Sequence, residues 1–453
     1  MIKSITYNYL HWVSLRNLIN WSVAHLLEND LGFSNKYPLV RIGDILYRNT
    51  DTITVADDVE YEQVTLKTNG GGAVLRGKKV GKDIGTKKQY RISEGQFIMS
   101  KIDARNGAFG VVPKELDGAI VTGDYPSFNV NEKKVNPSYL YLLSATQKFV
   151  HFAQSCSRGT TNRQRIDISQ FLNVKIPIPS LNEQNAIVAA YNDSLTLASQ
   201  YEQQAADINN TIESYLLDEL GLNTAISTKD KTNRNYKYLH FTNLKDLSDR
   251  WDIYNVIDGV FNVLRQAKYP IVSIGNAFDF ITRTWKKTGE TFQYVELGDV
   301  SPLYGITKNQ TLATKKAPSR ATQTIQAKDL IIGTTRPYLK RFAIVANGYS
   351  DNVCSSGFQV IAPNDRYNLQ FLYEFLMTEV ATKQFEYYMT GALYPAITNK
   401  DLRKIQIPLP PLNVQNEIVA HITKMKEQVK TLRKLADITR ANAIKQFEQT
   451  LFE

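Results

Sequence analysis

Two stretches of the chain carry apolar residues at alternating three- and four-residue spacings, with polar residues filling the positions between. The first runs from about Glu183 to Leu220 and aligns Ile187, Tyr191, Leu195, Ala198, Tyr201, Ala205, Ile208, Ile212 and Tyr215. The second runs from about Gln415 to Phe447 and aligns Ile418, Ile422, Met425, Val429, Leu432, Ala436 and Ala443. Sustained spacing of this kind predicts helices whose apolar seam needs a partner, as in a coiled coil. About 38 residues at about 1.5 Å each make a rod of roughly 57 Å. Ahead of each helix lies a mixed, glycine-punctuated stretch with short apolar runs such as QFIMSKI and GAFGVV, which reads as a globular α+β domain. Each such stretch ends in IPIP or IPLP, where proline stops both a helix and a central strand, so the chain leaves the globule there. Asn182 and Asn413 are expected as N-caps of the long helices, and Ser180 with Glu183 also fits a capping box.

The same order of parts occurs twice. YLHWVSLRNLINWSV from Tyr9 recurs as YLHFTNLKDLSDRWDI from Tyr238, and KYPLVRIG from Lys36 recurs as KYPIVSIG from Lys268. VKIPIPSLNEQNAIVAAY from Val174 recurs as IQIPLPPLNVQNEIVAHI from Ile405, and Gly159 matches Gly391. The offsets, 238 − 9 = 229, 268 − 36 = 232 and 405 − 174 = 231, are nearly one register. A period of that length means two whole modules in tandem, because solenoid repeats are only about 20 to 50 residues long. The expected divisions are a first globule at 1–180, a helical spacer at 181–222, a linker at 223–237, a second globule at 238–410 and a second helical spacer at 411–453. The linker, NTAISTKDKTNRNYK, is polar and should tolerate insertions.

Charge suggests how the helices choose a partner. From Leu181 to Leu222 there are seven acids and no Lys or Arg, whereas Pro411 to Glu453 holds seven bases against five acids. The two helices are therefore expected to pair with each other in one chain, antiparallel, with a globule at each end. The competing reading is a solvated charged face on each helix.

The whole chain has 54 Lys and Arg against 44 Asp and Glu, and the excess of ten favours a polyanionic partner. It is concentrated in equivalent parts of the two globules. Residues 76–105 hold nine bases (Arg76, Lys78, Lys79, Lys82, Lys87, Lys88, Arg91, Lys101 and Arg105) against three acids. Residues 308–341 hold Lys308, Lys315, Lys316, Arg320, Lys328, Arg336, Lys340 and Arg341 against Asp329 alone. Basic residues interleaved with glycines and hydroxyls suit phosphate contacts to a DNA duplex, although such runs are often only solubility charge. Base reading needs groove-edge hydrogen bonds, typically Arg or Lys to guanine and Asn or Gln to adenine. The loop SRGTTNRQRID offers Arg158, Asn162, Arg163, Gln164 and Arg165, and ARNG offers Arg105 and Asn106. In the second module the loop becomes TGALYPAITNKD, with Tyr394 and Pro395 where the first has arginines, so the two globules should read different sequences.

No catalytic set can be assembled. GAVLRGKK, residues 72–79, approaches a phosphate loop but has Lys79 where a magnesium-holding Ser or Thr belongs, and reads as a basic glycine-rich turn. NPSY, residues 136–139, approaches a methyltransferase motif without its second proline, and Asn136 as N-cap with Pro137 opening a helix accounts for it. Asp124, Glu132 and Lys134 lack the further ligands of a metal nuclease, and His11 and His240 sit beside aromatic residues as structural histidines do. Cys156 and Cys354 fall at unrelated repeat positions and form neither a disulfide framework nor a metal site. With so few cysteines, and no apolar run near the roughly 18 residues a membrane span needs, a cytoplasmic protein without membrane contact is expected.

The doubled globule-then-helix plan, the boundary blocks IPIPSLNEQNAIV and IPLPPLNVQNEIV, and the stretch KKQYRISEGQFIMSKIDARNGAFGVVP resemble the specificity (S) subunit of type I restriction-modification systems. The resemblance spans essentially the whole chain, and Val414 replaces the glutamate usual in the second boundary block. It implies two target-recognition domains, each reading half of a split double-stranded DNA site, held apart by paired helices. It implies that two methyltransferase (M) subunits dock on those helices and that restriction (R) subunits join through the complex. Catalysis, AdoMet, ATP and magnesium would belong to those other chains, with no cofactor here. Two reading heads on a fixed rod address half-sites at one separation, so helix length would be part of specificity. A stand-alone DNA-binding regulator and an enzyme acting alone remain as alternatives, separable by co-purification with a methyltransferase and by modification or cleavage of DNA by the chain itself.

Overall fold

The computed structural model describes Phe33 and residues 36–68, 70–158, 165–222, 260–391 and 393–452. The repeated opening blocks at Tyr9 and Tyr238, His11, His240 and the linker at 223–237 lie outside the described residues. The chain divides into two compact units, Met1–Tyr201 with Lys434–Glu453, and Glu202–Arg433.

The first unit contains strands β1 (Leu39–Arg41), β2 (Leu46–Arg48), β3 (Thr52–Thr54), β4 (Glu60–Leu66), β5 (Ala73–Val80), β6 (Lys88–Arg91), β7 (Phe97–Met99), β8 (Phe109–Val111), β9 (Ile120–Val121) and β10 (Ser127–Val130). Helices α1 (Pro137–Ala145) and α2 (Gln147–Ser155) follow, then β11 (Ser157–Arg158), β12 (Arg165–Ile166), α3 (Ile168–Asn173), β13 (Lys175–Pro177) and the long α4 (Leu181–Glu219), whose later turns belong to the second unit. One sheet has the order β2-β10-β7-β8 and is antiparallel throughout. A second has the order β3-β6-β9-β4-β5, with β4 and β9 parallel. Its β5 contains GAVLRGKK beyond the first glycine, so this segment is an edge strand and not the turn its glycines suggested. The proline of β13, Pro177, costs no ladder bond, because β13 pairs only with β1. The core is aromatic: the Phe171 ring lies 6.1–6.5 Å from those of Phe97, Phe109, Phe128 and Phe149, all fully buried.

The second unit repeats the plan. Its elements are α5 (Val260–Leu264), β14 (Ile271–Ser273), α6 (Ile274–Ala277), β15 (Asp279–Ile281), β16 (Thr291–Val295), β17 (Val300–Ser301), β18 (Gly305–Ile306), β19 (Gln310–Ala313) and β20 (Ala321–Thr324). After them come β21 (Leu330–Gly333), β22 (Phe342–Ile344), β23 (Val353–Ser355), β24 (Phe358–Ala362), α7 (Leu369–Leu376), α8 (Glu379–Tyr388), α9 (Asn399–Leu402), β25 (Gln406–Pro408) and α10 (Leu412–Phe452). The order β15-β24-β21-β22 matches the first antiparallel sheet, and β19-β16-β23-β20, with β16 and β23 parallel, matches the second without its β3 edge. Buried Asp329 is held here by both guanidinium nitrogens of Arg283 and by the Gln326 N–H at 2.8 Å.

The long helices run antiparallel, and each unit shows this within itself. In the first, Ile187, Val188 and Tyr191 near the start of α4 share a cluster with Phe447 and Leu451 near the end of α10. In the second, Ile212, Tyr215 and Leu216 near the end of α4 share one with Ile418 and Ile422 near the start of α10. Every seam position read from the sequence is buried or half-buried. Asn182 and Asn413 are not caps, since each lies inside the first turn of its helix. Ser180 caps α4: its hydroxyl receives the Glu183 N–H, and the Glu183 carboxylate receives the Ser180 N–H at 3.0 Å and hydroxyl at 2.7 Å. This pairing holds the Glu183 carboxyl below its ordinary pKa. Charge matching between the helices does not account for Lys426, whose ammonium lies 2.6 Å from buried Glu374 of α7.

A buried amide joins each globule to its helix. The Gln184 side chain donates to the Pro179 and Lys134 carbonyls at 2.8 and 3.0 Å and accepts the Asn136 N–H at 2.8 Å. Asn136, the N-cap of α1, also donates to the Asn185 side chain at 2.8 Å. Gln415 repeats this with the Pro410 carbonyl and the N–H of Asn368, the N-cap of α7, and Asn368 donates to Asn416. No helix of the described residues is long and apolar enough to cross a membrane.

Candidate nucleic-acid interface

In the first globule the basic residues fall into two groups. Arg76, Lys78 and Lys79 lie on β5, Lys82 lies in the turn Gly81–Asp83, and Lys87 and Lys88 lie at the entry to β6. That turn folds back on residues 57–59: the Gly81 and Lys82 N–H groups donate to the Val59 and Asp57 carbonyls, and the Lys87 ammonium reaches the Gly81 carbonyl at 2.8 Å. One sheet therefore carries all six, each exposed. Two have carboxylate partners, Lys78 with Glu62 at 2.9 Å and Lys87 with Asp57 at 2.5 Å. Glu62 raises the Lys78 pKa. Arg76, Lys79, Lys82 and Lys88 make no ion pair among the described residues. Register shifts between Gln63 and Val64, where β5 holds an extra residue, and Arg76 is the residue left out of the ladder.

The second group surrounds the β7–β8 connection. Arg105 and Asn106 form the turn Ala104–Asn106 and line a cavity of about 560 Å³ with Thr68, Gln147, His151 and Gln154. The tip of the β4–β5 hairpin adjoins this turn, since the Gly70 N–H donates to the Gly107 carbonyl at 3.2 Å. The Lys101 carbonyl accepts the Ile166 N–H, which brings β12 and Arg165 alongside, and Arg165 pairs with Asp124 at 3.3 Å. Arg158 lies on β11, paired in register with Arg165. Asn162, Arg163 and Gln164 lie outside the described residues.

In the second globule Lys308 precedes β19 and pairs with buried Asp299 at 3.3 Å. Lys315 and Lys316 form the turn after β19, Arg320 precedes β20, and all three are exposed. Arg336, Lys340 and Arg341 belong to the β21–β22 connection, which is topologically equivalent to the β7–β8 connection holding Arg105. The Lys340 ammonium donates to the Met377 carbonyl at 2.7 Å at the end of α7, which turns it inward as a helix cap. Tyr394 is exposed, with the Arg336 guanidinium 5.0 Å from its ring.

No group of three or more His, Cys, Asp or Glu that could hold a metal ion occurs among the described residues. Asp124 faces Arg165, as a carboxylate in an ion pair does. Both cysteines are buried and neither is in a disulfide, and burial pushes the Cys354 thiol up to about 12, far from a reactive thiolate. Sequence reading missed the two buried glutamines, whose signal was their recurrence in LNEQN and LNVQN, and the exposed Leu303, Tyr304 and Leu393, whose signal was the recurrence of Leu-Tyr beside proline in PLYG and ALYP.

Known proteins resemble this chain over most of its length. The MjaX specificity subunit named for a type I restriction enzyme of Methanocaldococcus jannaschii is 24% identical over 353 residues, 76% of this chain and 75% of that one. The EcoDI specificity subunit of a type I restriction enzyme of Escherichia coli is 30% identical over 105 residues, 23% of this chain and 22% of that one. A chain solved in work on complex assembly and conformational transition of the type I R-M system shares the fold, with a TM-score of 0.56 and 18% identity, covering 92% of this chain and 97% of that one. The model of the family described as type I restriction modification DNA specificity domain matches residues 25–196 and 267–440. The two matches fall on the two repeated modules and cover most of the sequence, so the chain belongs to that family and carries its domain twice.

Proposed function

We propose that this chain is the non-catalytic DNA-recognition and scaffold subunit of a type I restriction-modification complex, acting in the cytoplasm. Each globule reads one half of a bipartite duplex target, and the paired helices act as spacer and as docking surface for two methyltransferase subunits, through which restriction subunits join. Catalysis and its cofactors reside in those partners. The observation that carries this reading is the duplication of one fold with different side chains on equivalent connections, Arg105 and Asn106 in the first and Arg336, Lys340 and Arg341 in the second. Equivalent scaffolds with unlike loop chemistry suit a device that reads two unlike half-sites.

Phosphate contacts are assigned first to cations without an intramolecular ion-pair partner among the described residues: Arg76, Lys79, Lys82, Lys88, Lys315, Lys316 and Arg320. Base contacts are assigned to the connections bearing Lys101, Arg105, Asn106, Arg158, Asn162, Arg163, Gln164 and Arg165, and in the second globule Arg336, Arg341 and Tyr394. Leu435, Ile438 and Ile444 of α10, apolar yet exposed, suit a docking surface. The test replaces residues 37–180 with another such domain, in complex with the methyltransferase, and maps methylated positions genome-wide. One half of the methylated sequence should change; a change in both halves, or in neither, would overturn the reading.

A further inference from the structure

Among the described residues, five of the six exposed large apolar side chains in the second unit lie on three loops: Leu303 and Tyr304 on the β17–β18 hairpin, Leu339 on the β21–β22 connection, and Leu393 and Tyr394 before α9. Leu393 and Tyr394 protrude most as a pair, 77% and 67% exposed. An apolar tip on a slack loop would mean little, but this one is fastened at both ends. Thr390 and Ala396 exchange two backbone hydrogen bonds of 2.9 Å, and Gly391, at φ 102, permits the tight reversal. The Arg336 N–H donates to the Pro395 carbonyl at 2.7 Å, its guanidinium donates to the Leu393 carbonyl at 3.3 Å, and the Ile397 N–H donates to the Thr334 carbonyl. Arg336 and Lys340 both hold left-handed backbone, at φ 50 and 51, so the connection gripping the tip is itself strained. Structure is being used to hold two apolar side chains in water beside a guanidinium.

Resting on the recognition role above, we propose that Leu393 and Tyr394 form a wedge that enters a base step of the half-site read by the second globule and partly unstacks it. Rigid apolar side chains flanked by cations do this in DNA-bending proteins, and the bend recovers the unstacking cost through added backbone contact. Arg336 has two tasks, stiffening the tip and presenting charge to the duplex beside the opened step, with Arg341 on the same connection. Nucleic acid suits the flanking charge better than a protein partner does, because between Lys308 and Arg341 the sequence supplies eight bases and one acid. That acid, Asp329, is buried under Arg283.

The experiment uses the full chain with its methyltransferase partner and duplexes carrying the methylation-mapped target, with 2-aminopurine placed at each position in turn. The wild type should raise fluorescence at one step of the second half-site, apart from any base the methyltransferase everts. In Leu393→Ser with Tyr394→Ala that signal should vanish and affinity fall about tenfold to a hundredfold, the range for losing base–aromatic stacking. Tyr394→Phe, which keeps the ring, should restore it. Tight binding by the wild type with no unstacked step there would overturn the wedge while leaving recognition intact. Failure of the wild-type complex to bind the mapped target would overturn recognition itself. A double variant that unstacks DNA normally but loses the methyltransferase would make the tip a protein contact and also overturn the proposal.

Discussion

Replacing Gln184 with alanine isolates the joint between the first globule and its helix. The amide is fully buried and makes three hydrogen bonds, two donated to the Pro179 and Lys134 carbonyls and one accepted from the Asn136 N–H. Each bond contributes about 1 kcal/mol net, and a buried partner left unpaired costs about 1 to 3 kcal/mol. Water entering the vacated space would satisfy part of the deficit, so the expected destabilisation is about 3 to 4 kcal/mol. For a unit of this size that lowers the melting temperature by about 6 to 16 °C. Asn185→Ala is the internal comparison, because it removes one exposed bond of 2.8 Å to Asn136 and should cost less than about 1 kcal/mol. Gln415→Ala, with bonds to the Pro410 carbonyl and the Asn368 N–H, should fall between them. Thermal unfolding followed by circular dichroism gives the ranking. If Gln184→Ala proves no more costly than Asn185→Ala, the buried amide does not hold globule to helix and the reasoning is wrong.

Three further outcomes are expected. Phe447→Ala should cost about 3 to 5 kcal/mol in thermal unfolding, because Phe447 is buried against Tyr139 with ring centroids 6.0 Å apart. Neutralising Arg76, Lys79, Lys82 and Lys88 together should weaken DNA binding in filter or anisotropy titrations and reduce the slope of log K against log salt by about 0.9 for each DNA phosphate that the variant no longer neutralises. Stability should also fall on acidification: partners hold the carboxyls of Glu183 and Asp401 below their unfolded pKa values, so their contribution is present at neutral pH and disappears as pH falls through the folded-state values. Ser180→Ala, which removes the hydroxyl Glu183 uses, should cost about 1 kcal/mol near neutrality and flatten that acid limb in unfolding series from about pH 7 to about pH 3.

The seams of α4 and α10 were legible because helical periodicity is local: Ile187, Tyr191, Ile418 and Ile422 announce a face whatever the rest of the chain does. Asn136 as N-cap was legible for the same reason, since its side chain binds the Ser138 N–H two residues on. Contacts across long separations were not. Gln184 meets a carbonyl fifty residues away, and nothing in LNEQN says which one. β5 was read as a turn because its extra residue at Arg76 breaks the period of two and its glycines punctuate the run. Charge counting on α10 found an excess of bases but could not show that Lys426 turns to Glu374, a choice made by burial of that carboxylate.

The packing at the helix ends bears on what it means for these domains to be modular. The repeat offset of 231 carries Leu216 to Phe447 and Leu220 to Leu451. Leu216 and Leu220, from the first module's helix, lie in the core of the second unit, while Phe447 and Leu451, from the second module's helix, lie in the core of the first. Each reading domain is therefore completed by a helix end that the other module supplies. A transplanted domain keeps its fold only if it presents a surface to Phe447 like that of Tyr139 and an N-cap to Gln184 like that of Asn136. The segments bearing Arg76, Arg105 and Arg158 carry no such requirement. The first globule can then vary at the segments proposed to meet DNA while remaining constant where it meets the helices. Half-site sequence and half-site separation become independently adjustable, because different residues control them.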